Sequence, residues 1–360
     1  MRASLPDWQY LDLQKPSDAS PIEKDPEARL HQLKRHVIFD EAQVIPALFP
    51  VLRSVVDASR EENGRFALLG SASPTLTRRI SESLAGRTSF LEMTPLRWHE
   101  IQPQAEKTSF KDLWFRGGFP KAFLAASESD AVQWAEAYTQ TFIERDLTVL
   151  GIDVSAVLMR KLWTMLAHLQ GALWNASRVA AALGVNYQTV NRYVDILEQT
   201  YLLRKLMPYQ VNLGKRLVRS PKVYLRDTGL LHYFLGIHQS SVLDAHPARG
   251  SSWEGFIIEH IISAFQNRSV GSQPYFWRTS AGAEVDLLID RGDRLIPFEV
   301  KLHTSPSTND LRGLYACMEQ LKIEKGYVLY SGSQTYSLGR GVTAIPTEKY
   351  LAQPELFLGL

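Results

Sequence analysis

Two carboxylates and a lysine lie on neighbouring apolar runs near the end of the 360-residue chain. Asp286 is in the run 284–290, and Glu299 and Lys301 are in the run 296–301, with a polar turn between the runs. Folded as a β-hairpin, the two runs bring the three side chains to one face. Carboxylates bind Mg²⁺, and a lysine orients the attacking water or offsets developing charge. The spacing therefore predicts either a metal-dependent site that cuts nucleic acid or, without activity, a binding module on a nuclease-like scaffold.

A predicted helix precedes this hairpin, over residues 250–262, and its apolar residues have helical spacing. Glu254, near the start of the helix, is expected to reach the hairpin as a third acid. Glu259 is the competing candidate, and we interpret it as an ordinary surface acid. His260 has no second ligand at metal-binding spacing, so we expect it to have a structural or solvent-facing role.

A second pair of acids, Asp40 and Glu41, ends the apolar strand 37–39. In the Walker B motif of P-loop NTPases, the first acid of such a pair helps to hold Mg²⁺ and the second polarises the attacking water. A solvated strand end is the alternative, because many strands end in two acids. The context favours a nucleotide site, since a second strand ends at Ser71 and Arg87 follows it. The phosphate-binding sequence G-x-x-x-x-G-K-[ST] does not occur in the chain.

Residues 175–198 have the pattern of a helix-turn-helix. Ser177 is predicted to cap the first helix, Gly184 to end it and Asn186 to cap the second helix. The outer face of the second helix is the surface that meets a groove in DNA-binding proteins. In this chain that face carries Tyr187, Gln188, Asn191 and Arg192.

The segment 201–226 that follows is basic and has no acid. Its basic residues are Arg204, Lys205, Lys215, Arg216, Arg219, Lys222 and Arg226. This composition predicts a wing that contacts phosphates. Two roles remain open for the unit as a whole, namely binding of DNA and a structural or protein-docking role.

The composition is ordinary for a globular protein, with 45% hydrophobic residues, 22% charged residues and a formal net charge of +2. A nucleic-acid face must therefore come from local clustering of charge. The single cysteine, Cys317, excludes an intramolecular disulfide and a multi-cysteine zinc site, and suits a reducing cytoplasm. No apolar run approaches the roughly 20 residues of a membrane span, and residues 1–10 lack the apolar core of a signal peptide. We therefore expect a cytoplasmic protein that does not enter a membrane.

The order of apolar runs and turns predicts an α/β fold in four parts. Residues 1–108 alternate strands and helices as in a parallel sheet, and residues 109–170 form a helical connector. Residues 171–235 form the winged helix-turn-helix unit. Residues 245–345 form the domain that contains the acids and the lysine.

The ordered set of motifs resembles a prokaryotic family of predicted AAA-type ATPases fused to a C-terminal region of unknown function. In that region a winged helix precedes a restriction-endonuclease-like α/β domain of the PD-(D/E)xK type. The matching segments are 37–43, 69–73, 84–87, 117–120, 143–146, 177–201, 253–254, 284–286 and 298–301. The resemblance therefore extends over nearly the whole chain.

The resemblance implies ATP and Mg²⁺ as cofactors, and we expect DNA and further copies of the chain as partners. It makes Asp40 the Mg²⁺ acid, Glu41 the hydrolytic acid, Ser71 the sensor and Arg87 an arginine finger. It also makes Glu254, Asp286, Glu299 and Lys301 the nuclease-type constellation, with Asp286 and Glu299 as metal ligands.

The chain departs from the family pattern at its start, where a first strand and a P-loop are expected before residues 8–12. The parallel AAA-type sheet is therefore expected to be incomplete and ATP binding to be impaired. The leading hypothesis is an AAA-type ATPase-family protein with a DNA-binding winged helix and a nuclease-like C-terminal domain. The alternatives are a Mg²⁺-dependent endonuclease and a non-catalytic module that binds DNA or protein.

Overall fold

A computed structural model of the chain describes residues 5–33, 36–59, 62–70, 80, 82–102, 108–149, 152–209, 220–268 and 271–357. The chain divides into two compact units, Met1–Leu91 and Glu92–Leu360. Each unit combines helices with a β-sheet, so the predicted α/β class is confirmed. Among the helices of these described ranges, none has the length and apolar character that crossing a bilayer requires.

In the described part of the unit Met1–Leu91, three parallel strands form a sheet in the order β1-β2-β3. The strands are β1 (Gln9–Asp12), β2 (Val37–Asp40) and β3 (Phe66–Leu68), and the helices are α1 (Pro16–Lys24), α2 (Pro26–Gln32) and α3 (Leu48–Ala58). Val37, Ile38 and Phe39 of β2 are fully buried, as in a parallel sheet covered by helices. Because the strands are parallel, their C-terminal ends meet at one edge, where Asp40 lies.

The unit Glu92–Leu360 is built, where the structure describes it, around a sheet of eight strands in the order β10-β11-β9-β8-β7-β6-β4-β5. The strands are β4 (Leu203–Pro208), β5 (Lys222–Leu225), β6 (Gln273–Arg278), β7 (Glu284–Asp290), β8 (Leu295–Lys301), β9 (Gly326–Tyr330), β10 (Tyr336–Gly339) and β11 (Val342–Pro346). β7 and β8 form the expected hairpin, with Leu287 opposite Phe298. The end of β4 pairs in parallel with β6, so one sheet includes both the predicted wing and the predicted acid–lysine hairpin.

The helices of this unit lie before, between and after the strands. They are α4 (Trp98–Ile101), α5 (Phe110–Arg116), α6 (Pro120–Phe123), α7 (Glu128–Thr141), α8 (Leu147–Val149), α9 (Ala156–His168), α10 (Ala176–Leu183), α11 (Tyr187–Gln199), α12 (Thr228–Phe234), α13 (Ser240–Ala245), α14 (Arg249–Arg268), α15 (Arg312–Leu321) and α16 (Thr347–Ala352). α14 packs with Leu287 of β7 in one apolar core, whereas α15 packs with Leu288 of β7 in another. Since neighbouring strand residues point to opposite faces, the two helices cover opposite faces of the sheet. Cys317 of α15 is buried in its core, as the spacing predicted.

Helices α10 and α11 form the expected helix-turn-helix, with one correction at the first cap. Asn175, not Ser177, caps α10, because its side chain accepts a hydrogen bond from the backbone N–H of Arg178 at 3.0 Å. Gly184 ends this helix in the left-handed conformation, with φ +69°, which glycine adopts without steric cost. Asn186 caps α11 through a 2.7 Å hydrogen bond from the N–H of Thr189.

Candidate active site

The hairpin β7–β8 brings the predicted acids and lysine together. In its register, Asp286 and Glu299 occupy opposite positions on the two strands. Asp286 Oδ2 accepts a hydrogen bond from the backbone N–H of Val300 at 2.9 Å. Lys301 Nζ donates to Glu299 Oε1 at 2.6 Å. The structure therefore places all three side chains at one end of the hairpin, where the backbone and the lysine hold one oxygen of each carboxyl group.

A shift in strand register lies beside Asp286. Between β6 and β7 the pairing moves by one residue, so that Asp286 and Leu287 together lie opposite Phe276. β-Bulges of this kind re-aim side chains and are frequent next to active sites. Leu287 is fully buried in the core, whereas Asp286 is half-buried. The shift thus helps to separate the acid from the apolar residue that follows it.

The pKa values of both carboxyl groups of the hairpin are raised above their usual values. Burial raises the pKa of Asp286 well above its usual value, Glu299 and Glu254 raise it further, and Lys222 and Lys301 oppose the shift. Burial also raises the pKa of Glu299, although Lys301 lowers it. Glu299 is only 7% exposed, and its Oε2 has no hydrogen-bond partner. A bound cation would lower both pKa values and engage this free oxygen.

The donor atoms fit Mg²⁺, which proteins commonly hold through one or two carboxylates while water and substrate phosphate supply the other ligands. Asp286 and Glu299 are the residues that would hold the ion. In the parts of the chain that the structure describes, no three His, Cys, Asp or Glu side chains are grouped to hold a metal ion. Glu254 therefore does not complete a three-carboxylate site in the arrangement seen here.

Glu254 of α14 is instead engaged by two residues that sequence reasoning missed as members of this site. Tyr224 OH donates to Glu254 Oε1 at 2.6 Å, and Lys222 Nζ lies 3.3 Å from the same oxygen. Lys222 also forms an ion pair with Glu284 of β7, whose other oxygen lies 2.9 Å from Arg278 Nη1. In the sequence, Lys222 and Tyr224 lie two residues apart on the short strand β5, which places them on one face of the sheet. This spacing does not identify Glu254 as their partner.

Glu259 is not a surface acid, which corrects the expectation from the sequence. It is 2% exposed and binds both Arg204 and Arg226, the latter through a 2.9 Å contact between Arg226 Nε and Glu259 Oε2. Burial raises the pKa of Glu259, but Arg204 and Arg226 outweigh it and hold the pKa well below its usual value. Arg226 also pairs with Glu92. The next residue, His260, is buried and hydrogen-bonds the carbonyl of Phe256 at 2.8 Å, which is a structural role.

The predicted basic wing is also corrected, because its described basic residues have acidic partners elsewhere in the fold. Arg204 and Arg226 bind Glu259, Lys222 binds Glu254 and Glu284, and Lys205 binds Asp195 and Glu198. These four cations are therefore not a free phosphate-binding surface. Lys215, Arg216 and Arg219, the other basic residues of the predicted wing, lie outside the described residues.

The predicted recognition face of α11 is mostly open to solvent. Tyr187, Gln188 and Arg192 are exposed, and the Nη2 of Arg192 donates to the carbonyl of Asp153 at 3.2 Å. Asn191 is half-buried, and its Oδ1 accepts a 3.2 Å hydrogen bond from Trp174 Nε1. Asn191 therefore connects α11 to the preceding segment, whereas Tyr187, Gln188 and Arg192 are exposed on the surface of the helix.

In the unit Met1–Leu91, Asp40 ends β2 and Glu41 follows it with φ +54°, a conformation that non-glycine residues seldom adopt. Tyr10 OH donates to Asp40 Oδ2, and Gln43 Nε2 donates to Glu41 Oε2. Both acids thus have fixed orientations at the C-terminal edge of the sheet. The third residue of this predicted site, Ser71, lies outside the described residues.

Arg87, the predicted arginine finger, is engaged within its own unit. Its Nε and Nη2 donate to the two oxygens of Asp57 at 2.6 and 2.9 Å. The hydrogen bond that Arg87 donates to Asp57 raises the pKa of Arg87. A role at a nucleotide would require Arg87 to leave this pair.

The Gly117-Gly118 motif has a packing role that involves Asp227. The N–H of Gly118 donates to Asp227 Oδ2 at 2.8 Å, and the N–H of Leu230 donates to Oδ1 at 2.9 Å. A Cβ atom on Gly117 would lie 2.3 Å from Asp227 Oδ1, and one on Gly229 would lie 2.1 Å from the carbonyl oxygen of Arg116. These glycines are required because two chain segments approach closely around one buried carboxyl group.

Comparisons with known families match three consecutive parts of the chain. The family model of an AAA domain matches residues 3–102. Two models of domains of unknown function follow, DUF8612 over residues 107–241 and DUF4143 over residues 249–350. The predicted acids Asp40 and Glu41 lie in the first match, and Asp286, Glu299 and Lys301 lie in the third.

Curated relatives match along most of the chain. The uncharacterized protein Rv2008c of Mycobacterium tuberculosis is 39% identical over 341 residues, which are 95% of this chain and 75% of that protein. The uncharacterized protein Mb2031c of Mycobacterium bovis gives the same values. An uncharacterized protein of Haemophilus influenzae is 22% identical over 219 residues, 57% of this chain and 54% of its own length.

Among solved structures, the crystal structure of protein VC1899 from Vibrio cholerae was matched across 98% of this chain and 97% of that one, with 9% identity. The TM-score is 0.24, which supports no assignment of fold.

Proposed function

Because the chain belongs to the family in which an AAA domain is fused to a C-terminal domain of unknown function, DUF4143, we propose that its C-terminal unit is a Mg²⁺-dependent nuclease of the PD-(D/E)xK type. The observation that carries the proposal is the buried, unpartnered Oε2 of Glu299 beside Asp286 and Lys301. A cation would neutralise the two acids and activate water for attack on a phosphodiester.

The residues of the chain have distinct parts in this proposal. Asp286 and Glu299 would hold the ion, and the N–H of Val300 keeps the Asp286 carboxyl group in place. Lys301, held by Glu299 and half-buried, orients the attacking water and offsets the negative charge that develops on the phosphate. Burial lowers the pKa of Lys301, but Glu299 and Asp286 raise it overall, so the lysine stays charged for this task.

The test is cleavage of DNA and RNA by the full chain with Mg²⁺ or Mn²⁺, with and without EDTA. Asp286→Asn should lower the rate by about 100-fold or more, since metal catalysis supplies several kcal/mol of transition-state stabilisation. Asp290→Asn is the matched control at the other end of β7, where the acid accepts a hydrogen bond from the N–H of Gly292, and it should retain activity. If the wild type cuts neither substrate and Asp286→Asn changes nothing, the nuclease proposal fails.

A second candidate function is binding of DNA through a winged helix made of α10, α11, β4 and β5. The exposed Tyr187, Gln188 and Arg192 on α11 favour it. The partner is double-stranded DNA, with the basic segment 210–219 contributing phosphate contacts. In the absence of cleavage this unit alone would make the chain a non-catalytic binding protein.

Salt-dependent binding of a DNA duplex tests this second function. Replacing Lys215, Arg216 and Arg219 together should weaken binding and reduce the slope of log K against log salt by about 1 for each phosphate that the protein no longer neutralises. Lys349→Ala, which removes an exposed charge in α16, is the control. Binding that is indifferent to the triple substitution would exclude the basic segment as a DNA-binding surface.

For the unit Met1–Leu91 we propose the nucleotide site of the AAA domain, with Asp40 as the Mg²⁺ acid and Glu41 as the hydrolytic acid. The support is their fixed placement at the C-terminal edge of a parallel sheet. Binding of ATP by this chain, and with it turnover, should be impaired, since the G-x-x-x-x-G-K-[ST] sequence does not occur in it. Titration with a fluorescent ATP analogue tests this, and micromolar affinity would contradict the impairment.

A further inference from the structure

Lys222 is a buried cation at the edge of the candidate metal site. Its side chain is 5% exposed, and its Nζ lies 3.3 Å from Glu254 Oε1 and forms an ion pair with Glu284. The ammonium group also lies 5.7 Å from the centre of the Phe276 ring. Such a group is held on several sides, so it does not leave the site as an exposed lysine would.

The acids around Lys222 are partly neutralised by lysines of the chain itself. The acids Glu254, Asp286 and Glu299 interact electrostatically with one another, and the lysines Lys222 and Lys301 oppose them. Lys301 already holds one oxygen of Glu299, and Lys222 holds one oxygen of Glu254. A divalent cation that enters must therefore share these acids with two fixed ammonium groups.

We infer that Lys222 and a divalent cation are alternative counter-ions of Glu254, so that Lys222 limits the affinity of the site for the metal. The inference rests on the proposed metal site at Asp286 and Glu299. Like charges in a partly buried site repel strongly, because the surrounding protein screens them less than water does. With Lys222 in place, Glu254 stays outside the metal shell; without it, Glu254 becomes a third carboxylate for the ion.

Mn²⁺ binding to the full chain, measured by calorimetry, tests the inference without reference to activity. Lys222→Met should tighten Mn²⁺ binding roughly tenfold or more, because it removes the repulsion and leaves Glu254 with the neutral Tyr224 hydroxyl in place of a cation. Lys222→Arg keeps the charge and should bind Mn²⁺ as the wild type does. Lys205→Met is the matched control. Lys205 lies on β4, the strand next to β5, and also pairs with two acids, but these are Asp195 and Glu198 of α11.

Two further measurements establish that the effect depends on Glu254 and that the Lys222 variant is folded. Lys222→Met combined with Glu254→Gln should bind Mn²⁺ no more tightly than the wild type, since the third carboxylate is gone. If Lys222→Met does not fold, Lys222→Gln takes its place, and thermal melting with and without Mn²⁺ confirms folding. Mn²⁺ should raise the melting temperature of the Lys222 variant more than that of the wild type, because the cation replaces the missing counter-charge.

The outcomes separate this inference from the proposed function. If the wild type binds Mn²⁺ and the Lys222 variant binds it equally or more weakly, Lys222 positions Glu254 and does not compete, and the inference is overturned alone. If neither protein binds Mn²⁺, the metal site itself is refuted and the inference with it. Tighter binding by the variant supports the inference even where the wild type binds too weakly to detect.

Discussion

Replacing Glu259 with glutamine should destabilise the unit Glu92–Leu360 strongly. Glu259 is buried and accepts hydrogen bonds from Arg204 Nε, from Arg204 Nη2 at 3.0 Å and from Arg226 Nε at 2.9 Å. The substitution leaves the two guanidinium groups without this shared counter-charge, although Arg226 keeps its pair with Glu92. Removing one partner of a buried ion pair costs about 3–5 kcal/mol. We expect a loss of about 3 kcal/mol in the free energy of unfolding, at the lower end of that range because Glu92 remains.

Urea denaturation followed by tryptophan fluorescence measures this loss in the relevant unit. Seven of the eight tryptophans lie in Glu92–Leu360, and Trp8 is the exception. Asp195→Asn is the control, because Asp195 pairs with Lys205 at 2.7 Å but its side chain is 50% exposed. Neutralising an exposed pair costs only about 0–1 kcal/mol. If the two variants lose the same free energy within about 1 kcal/mol, Glu259 is not the centre of a buried ion pair and the reasoning is refuted.

The pH dependence of stability provides an independent check on Glu259. Its folded-state pKa lies below the value of about 4.3 that glutamate has in an unfolded chain. Its contribution is therefore complete at neutral pH and is lost as the pH falls below about 4.3 towards the folded-state pKa. The wild type should lose more stability than Glu259→Gln over that acidic range. Parallel pH profiles of the two proteins would contradict the assignment.

Two further predictions concern packing and a buried histidine. Gly313→Ala should lower the free energy of unfolding by about 1–3 kcal/mol, because the new Cβ would lie 2.0 Å from the carbonyl oxygen of Glu284. A Cβ on Gly250 would meet open space, so Gly250→Ala is the control and should not lower the stability. Equal urea midpoints for the two variants would refute this prediction. Burial lowers the pKa of His232 to about 4, so the unfolded chain takes up a proton between about pH 6.5 and 4 that the folded chain does not, and stability should fall as the pH falls through that window. In NMR titrations the His232 ring should stay neutral at pH 5, and titration near the usual histidine pKa would disprove the burial effect.

The hairpin that holds Asp286, Glu299 and Lys301 could be predicted from the sequence because the signal is local. Two apolar runs joined by a short polar turn pair with each other, and alternation then places residues 299 and 301 on one face. The same holds for Asp40, since an apolar strand between helices must be buried and its end must lie at the sheet edge. Asn186 and Gly184 likewise act through their immediate neighbours. In these cases the interacting residues are close in sequence or related by a regular period.

The basic segment 201–226 shows where local reasoning failed. The segment contains no acid, which predicted a free phosphate-binding face. In the structure, Arg204 and Arg226 form ion pairs with Glu259 of α14, which is remote in sequence. Lys222 forms an ion pair with Glu254 of the same helix. No spacing rule links residues of β4 and β5 to α14, because their pairing depends on how that helix crosses the sheet. The expectation that Glu259 is a surface acid was wrong for the same reason, since its partners Arg204 and Arg226 are remote in sequence.

The sequence by itself determined the α/β class, the helix-turn-helix and the types of residue available at each candidate site. It did so because hydrophobic periodicity, capping and turn chemistry act over a few residues. Only the tertiary structure decided which charges are free and which are neutralised within the fold. In the acid–lysine hairpin one oxygen of Glu299 has no hydrogen-bond partner, and this is the oxygen that the proposed metal would engage; Lys222 lies 3.3 Å from an oxygen of Glu254. Pairing of buried charges depends on distances between elements remote in sequence, and electrostatic energy follows those distances.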